Sequence, residues 1–371
     1  MVLPFFGQGQ ISPLYVIIQV AFIGYIFLFM FYGQRLQIGM WAREIQKSLA
    51  KLYIIKNRAR EVSINTVKEV GKGQADPTSR IDQFLESFFI EPVSMDPSGL
   101  VWKFDHLLDV RDMSMKKEVK RIAPEADETH INNLENLLEA SMDLNLIYRI
   151  VNHYYLFGKR TKSYIILAQL HMILPIIMDT AYAFDGAIQA FAKGQPIGDG
   201  AGPLLVNRLI REKPCKKIEK DMIASELELD GRKVYALKAE GPGGNVGKPG
   251  DALKILIDSI KGNISLVIMV DAGLKLEGDK SGDVIEGIGA AIGGIGTEKY
   301  KIEEVTTKYK LPLYAVVIKE SLKDAIAPMN KEINEGVDKA IEHVKRIITE
   351  NTKEGDIVII AGIGNTIGIA Q

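Results

Sequence analysis

Hydrophobic positions fall into three regimes along the chain. From Leu14 to Tyr32 the sequence LYVIIQVAFIGYIFLFMFY is apolar in every turn, with no charge and with Gln19 as its one strongly polar side chain. As a helix this run rises ~28 Å, close to the ~30 Å hydrocarbon core of a bilayer. It predicts a transmembrane helix opened by Pro13, where a missing N–H is least missed. Beyond it, apolar residues thin to a single stripe of Ile38, Trp41, Ile45, Leu49 and Leu52 among mixed charges. That spacing predicts a continuing helix over 34–70. The stripe fits a lipid-headgroup-binding or oligomerising stalk, and equally a solvated helix packed on its own body.

The second regime follows a break expected at Gly71–Pro77. Helical periodicity runs over 78–89, 111–122, 128–157 and 162–192, punctuated by Pro92, Pro97 and Pro124, with Gly158 separating the two long helices. The apolar stretch Tyr164–Met178 is shorter than a membrane span and contains His171, and continuing it to Phe184 takes in Asp179. A buried core helix is the expectation, and a second membrane helix with His171 and Asp179 facing a partner is the alternative.

The third regime begins near residue 216. Asp230-Gly231 between two alternating runs predicts a hairpin. Strands are then expected at Lys233–Ala239, Ser265–Asp271, Leu313–Lys319 and Asp356–Ala361, and helices at Asp251–Ile260, Thr297–Tyr309 and Ile333–Thr349. Continuous apolar strands spaced by helices predict a mostly parallel sheet covered on both faces. The expected architecture is thus a transmembrane anchor (1–34), a basic stalk (35–75), a helical domain (76–213) and an α/β domain with glycine-rich loops (214–371).

Charge adds an orientation. Residues 1–34 hold no Lys or Arg, whereas 35–60 hold Arg35, Arg43, Lys47, Lys51, Lys56, Arg58 and Arg60 against Glu44 alone. The positive-inside rule then predicts a single-pass protein of the cell membrane, its N-terminus outside and its soluble body cytoplasmic. A cleaved signal peptide would want a basic start and a small-residue cleavage site, and neither is present. Over all 371 residues the net charge is −1, which speaks against a nucleic-acid binder. The single cysteine, Cys215, excludes a disulfide framework and multi-cysteine metal sites.

Candidate chemistry lies in the glycine-rich stretches. The loop 239–250, AEGPGGNVGKPG, follows a strand and precedes a helix. Gly241, Gly243, Gly244 and Gly247 would let backbone N–H groups approach an anion, and Lys248 would add a positive charge. The loop is a near-miss to a phosphate-binding Walker motif, since Pro242 and Pro249 stand where a glycine and the magnesium-holding hydroxyl belong. Asp271 at the end of an apolar strand is a candidate ribose or magnesium contact, with Glu277 as a possible second metal ligand. The acids of 277–286 match no calcium loop. The turn PIGDGAGP at 196–203 reads either as an ordinary interhelical turn capped by Asp199 or as an anion-holding turn. Five glycines within 287–296 and the stretch AGIGNTIGIAQ after the last strand suit a ligand cradle or close packing. No histidine pair, nucleophile elbow or catalytic cysteine context is present.

The hydrophobic start, PIGDGAGP, KAEGPGGNVGKPG (238–250) and VDAGLKLEGDKSGDVIEGIGAAIGG (270–294) together resemble the archaeal membrane-anchored family known as domain of unknown function 1512. That resemblance covers nearly the whole chain and implies no catalytic residues. The leading expectation is a membrane-anchored cytoplasmic protein binding a phosphorylated small molecule or a nucleotide, with magnesium as the possible cofactor. The alternatives are a non-enzymatic oligomeric scaffold and a two-helix membrane protein with a transport role. Expected partners are lipid through 14–32 and further copies of the chain, with no nucleic acid.

Overall fold

The computed structural model describes residues 13–71, 76–85, 99–211, 213–294 and 296–370. The break expected over 71–77, the end of the 78–89 helix, Pro92 and Pro97 lie wholly or partly outside them. The segments expected as anchor and stalk form one uninterrupted helix, α1 (Pro13–Gly71). It is followed by α2 (Thr78–Leu85), α3 (Leu100–Ile122), α4 (Glu128–Thr161) and α5 (Tyr164–Lys193). Helix α2 starts where expected, but α3 starts eleven residues ahead of the predicted 111, because nothing in LVWKFDHLLDV breaks a helix. Gly158 does not separate the long helices. It lies inside α4, and a Cβ there would stand 2.9 Å from the Leu167 side chain, so it is glycine that lets α5 pack close. The reversal comes four residues later, at Lys162 with φ 53°.

The chain divides into two compact units. One comprises residues 1–53 and 148–178. In it Trp41 stacks on His171 at 5.5 Å and meets Tyr164 at 5.1 Å, while His171 is bonded to Glu44. Helix α5 is the one helix among the described residues long and apolar enough to cross a membrane, and Pro13–Leu28 is a shorter apolar stretch of α1. Both leave apolar side chains exposed: Leu14, Ile17, Phe22 and Phe27 on α1, and Ile165, Met172 and Ile176 on α5. A fully buried α5, the expectation from its short apolar run, is therefore not what forms: Leu167, Leu170, Leu174 and Met178 are buried, but Ile165, Met172 and Ile176 are not.

The other unit comprises 54–147 and 179–371. Its C-terminal part runs through a 3₁₀ turn (Gly198–Gly200), α6 (Ala201–Ile210), β1 (Lys216–Glu219), β2 (Met222–Leu229), β3 (Arg232–Ala239) and α7 (Pro249–Ser259). It continues with β4 (Leu266–Leu274), β5 (Val284–Ile288), α8 (Thr297–Tyr309), β6 (Leu313–Glu320), α9 (Leu322–Ile326), α10 (Lys331–Asn351) and β7 (Ile357–Gly362). The seven strands form one sheet in the order β1-β2-β3-β7-β4-β6-β5.

The sheet is mixed rather than mostly parallel. Its centre, β3-β7-β4-β6, is parallel, but β1-β2, β2-β3 and β5-β6 pair antiparallel. The expectation failed at the two edge strands. Strand β1 is four residues of KKIE, too short to show a period, and β5 lies inside the glycine-rich run that looked like loop. Strand β4 also runs three residues past Asp271. Along the central strands successive side chains feed opposite faces. Leu266, Ile268 and Val270 join the cluster under α6 and α10, and Val267 and Met269 join the cluster under α7 and α8. Both clusters are closed to solvent, as a doubly covered sheet requires.

Candidate functional site

In open α/β sheets ligands usually occupy the crevice at the C-terminal ends of the strands. Here the chain's own glycine-rich segments fill it. After β7 the backbone runs over 363–370 between the PIGDGAGP turn and the 240–244 loop. Thr366 Oγ1 is hydrogen-bonded to the carbonyls of Glu240, Gly243 and Asn245, and Gly368 N donates to Pro242 O. Asn365 N donates to the Asp199 carboxylate at 2.7 Å. A Cβ at Gly241 would collide with the Ile369 carbonyl, and one at Gly202 with the carbonyls of Val270 and Ile363. Much of the glycine pattern therefore serves mutual close approach of three loops.

Beneath this interlock sit three acids. Glu320 is 1% exposed and its Oε2 has no hydrogen-bond partner. Burial, with the charges of Asp199, Asp324 and Asp271, pushes its carboxyl up to about 9. Burial and Asp199 push Asp271 up to about 8, although the amides of Ala272 and Gly293 donate to it. Asp199 is likewise raised by burial. At neutral pH protonation relieves such a like-charge group. Among the described residues no three His, Cys, Asp or Glu side chains stand in an arrangement that could hold a metal ion. Asp271 thus keeps company with Asp199 and Glu320. Glu277 is exposed in the loop after β4, and Lys248 is engaged elsewhere.

The outer side of the same loops forms the wall of an open cleft of about 680 Å³. Gly244, Asn245, Val246, Gly247, Lys248 and Asn365 line one side, joined by Lys220 and Asp221 from the β1–β2 turn. Helix α3 supplies Asp109, Asp112, Met113, Lys116, Lys117 and Lys120, positions that recur at three- and four-residue steps on one helical face. Helix α4 supplies Asn132, Glu135, Asn136 and Glu139 in the same rhythm. The loop is bolted to α4: Asn136 donates to Gly244 O at 2.8 Å, Gly244 N donates to Asn133 Oδ1, and Asn365 donates to Asn136 Oδ1.

Of the six expected ligand-binding residues, Gly244, Gly247 and Lys248 line the cleft, whereas Gly241, Gly243 and Asp271 do not. The amides of Gly244 and Gly247 are taken by Asn133 and Asn245. Lys248 is paired with Asp109 at 2.6 Å. One donor of the loop is unsatisfied: Asn245 Nδ2 is buried without a partner. Lys117 and Lys220 are exposed and carry no ion pair among the described residues. Burial and the neighbouring Glu139 charge push Glu135 up to about 7, so it exchanges its proton near neutrality. The cleft thus offers solvent-facing cations and a poised acid, with an unpaired amide donor shielded just behind its wall. The helix contributions were missed because they come from segments without glycine signals. Their one trace in the sequence is the polar stripe on α4, Asn132-Asn136-Glu139-Asp143.

Two family models cover most of the chain. The N-terminal domain of a protein of unknown function (DUF1512) matches residues 19–194, and the C-terminal DUF1512 domain matches 197–370. No curated protein matches it.

Proposed function

The chain belongs to the DUF1512 family, and for it we propose a membrane-anchored protein that binds a phosphorylated small molecule, a nucleotide among the candidates, in the cleft between the 244–248 loop and helices α3 and α4. The observation that carries this reading is the pair of exposed cations Lys117 and Lys220, with no ion pair among the described residues, on the lining of a cleft backed by the unsatisfied, shielded Asn245 Nδ2. A volume of about 680 Å³ lies within the usual ~300–1,000 Å³ of small-molecule sites. In this reading Lys117 and Lys220 neutralise the phosphoryl group, the Asn245 side chain turns its amide out to donate to it, and Glu135 meets a hydroxyl or amine of the ligand. Lys248, the cation expected from sequence, instead braces the loop against α3 through Asp109. The anchor is the apolar start of α1, with the body on the cytoplasmic side by its basic flank.

Thermal unfolding of the full chain in mild detergent tests the ligand reading, with inorganic phosphate, ADP and ATP each added with and without magnesium. A ligand at ~100 times its Kd stabilises by about 2.7 kcal/mol, a shift of several degrees. The expected outcome is such a shift with at least one phosphorylated compound, abolished in Lys117→Glu/Lys220→Glu. No shift with any of them, or an equal shift in the double variant, would sink the reading.

A second reading, an oligomeric scaffold, is favoured by one observation: Met172 and Ile176 on α5 are 72% and 69% exposed. Side chains of that size on one helical face suit a partner of the same kind.

A further inference from the structure

The turn joining α4 to α5 carries a surface unrelated to the cleft. Lys159, Arg160 and Lys162 are all exposed on it. Lys159 and Arg160 lie over the rings of Tyr155 and Phe157, at 5.7 and 5.8 Å. Among the described residues none of the three cations has an ion pair with a carboxylate. The reason is visible along the chain: between Asp143 and Asp179 there is no acidic residue at all, while Arg149, Lys159, Arg160 and Lys162 fall in that interval. Around the cations apolar side chains also face outward, Leu156 at 53% exposure, Tyr164 at 37% and Ile165 at 66%. Cations interleaved with aromatic and aliphatic side chains, without acids, are the composition of a surface that meets lipid headgroups.

Its position agrees with its composition. Tyr164 packs on Trp41 of α1 at 5.1 Å, so the turn stands level with Trp41. Trp41 follows Tyr32, the end of the apolar run, by nine residues of continuous helix, or about 13 Å along its axis. Long cationic side chains shorten that gap, leaving the charges within about one Debye length (~8 Å) of a bilayer that α1 enters.

We propose that the α4–α5 turn is a docking surface for anionic lipid headgroups, seated on the leaflet from which α1 emerges. The proposal rests on the reading of α1 as an anchor. Docking would hold the unit of 1–53 and 148–178 against the membrane at a second point, so that lipid charge sets its mobility.

Hydrogen exchange of the full chain in nanodiscs tests this, with discs of phosphatidylcholine alone compared with discs also containing phosphatidylglycerol. Amides of 157–166 are expected to exchange about tenfold more slowly, or slower still, in the anionic discs, as suits three cations drawn to a charged surface. Amides of α10 should not change. Lys159→Gln/Arg160→Gln/Lys162→Gln should remove the slowing while the amides of 41–53 and of α10 keep their protection, which shows that both units of the variant are folded. Molar salt should remove it too. Equal exchange in both discs, or slowing that survives in the triple variant, overturns the proposal. So does protection of 164–178 whatever the lipid charge, which would place α5 inside the bilayer. A chain that stays out of the discs altogether overturns the anchor and this inference together. A chain that enters them without slowing at the turn overturns the inference alone.

Discussion

At the residue scale, the acids under the interlocked loops set the clearest test. Glu320, pushed up to about 9, and Asp271, pushed up to about 8, hold their protons in the folded protein across neutral pH, whereas an unfolded chain releases them near pH 4. Between those limits the native state binds more protons than the unfolded one, so stability falls as pH rises from about 4 towards 8–9. Each such proton is worth about 1.4 kcal/mol per pH unit. Glu320→Gln keeps the shape and removes the titration. Its thermal midpoint should exceed that of the parent at pH 8, and its decline with pH should be shallower, as measured by calorimetry from pH 5 to 9. A parallel decline in both proteins would refute this account of Glu320. The sequence marked Asp271, for the sound reason that a strand fixes it. It could not mark Glu320 or Asp199 as its neighbours, because they meet only when β6 and the 3₁₀ turn converge on the same sheet edge.

At the element scale, periodicity served best where an element is long or buried on both faces. The hairpin at Asp230-Gly231, the four central strands and α8 all formed near their expected bounds. It failed where glycine hides the period, as in β5, and at the start of α3, which formed eleven residues ahead of the expected bound. Glycine-rich junctions also prove to be of two kinds, which composition does not separate. Gly202 at the start of α6 sits against backbone carbonyls of β4 and of the 363–370 segment, whereas Gly287 in β5 has open space where a Cβ would be. Gly202→Ala should therefore lower stability by at least the ~1–3 kcal/mol typical of overpacking. Gly287→Ala should stay within about 0.5 kcal/mol of the parent. Denaturant melts of the two variants decide it, and equal losses would contradict the distinction.

At the scale of the whole molecule, the chain pairs a helical unit rich in exposed apolar surface with a unit built on a doubly covered sheet. If the α5 surface packs on further copies, the full chain in mild detergent should sediment faster than a monomer. Met172→Glu/Ile176→Glu should return it to monomer. A monomeric parent would remove the scaffold reading and leave the ligand cleft standing alone. The long helix with its apolar start was legible from hydropathy, and the sheet's existence from strand spacing. Neither revealed that the strand crevice would be closed by the chain's own 363–370 segment, since that depends on three loops far apart in sequence meeting at one edge.

The order of the sheet has a consequence for how the protein is made. Strand β7, which lies between β3 and β4, is the last strand along the chain. A growing chain therefore displays β3 and β4 with their inner edges unpaired until residues 357–362 have cleared the ribosome. Unpaired apolar strand edges invite the wrong neighbours. By then α1 is long since synthesised and, if it enters the bilayer at once, nascent chains are confined to the membrane surface during the interval in which their sheets lack a centre. The crowding of tethered chains in the bilayer would then set how often an unfinished sheet takes its missing strand from a neighbour.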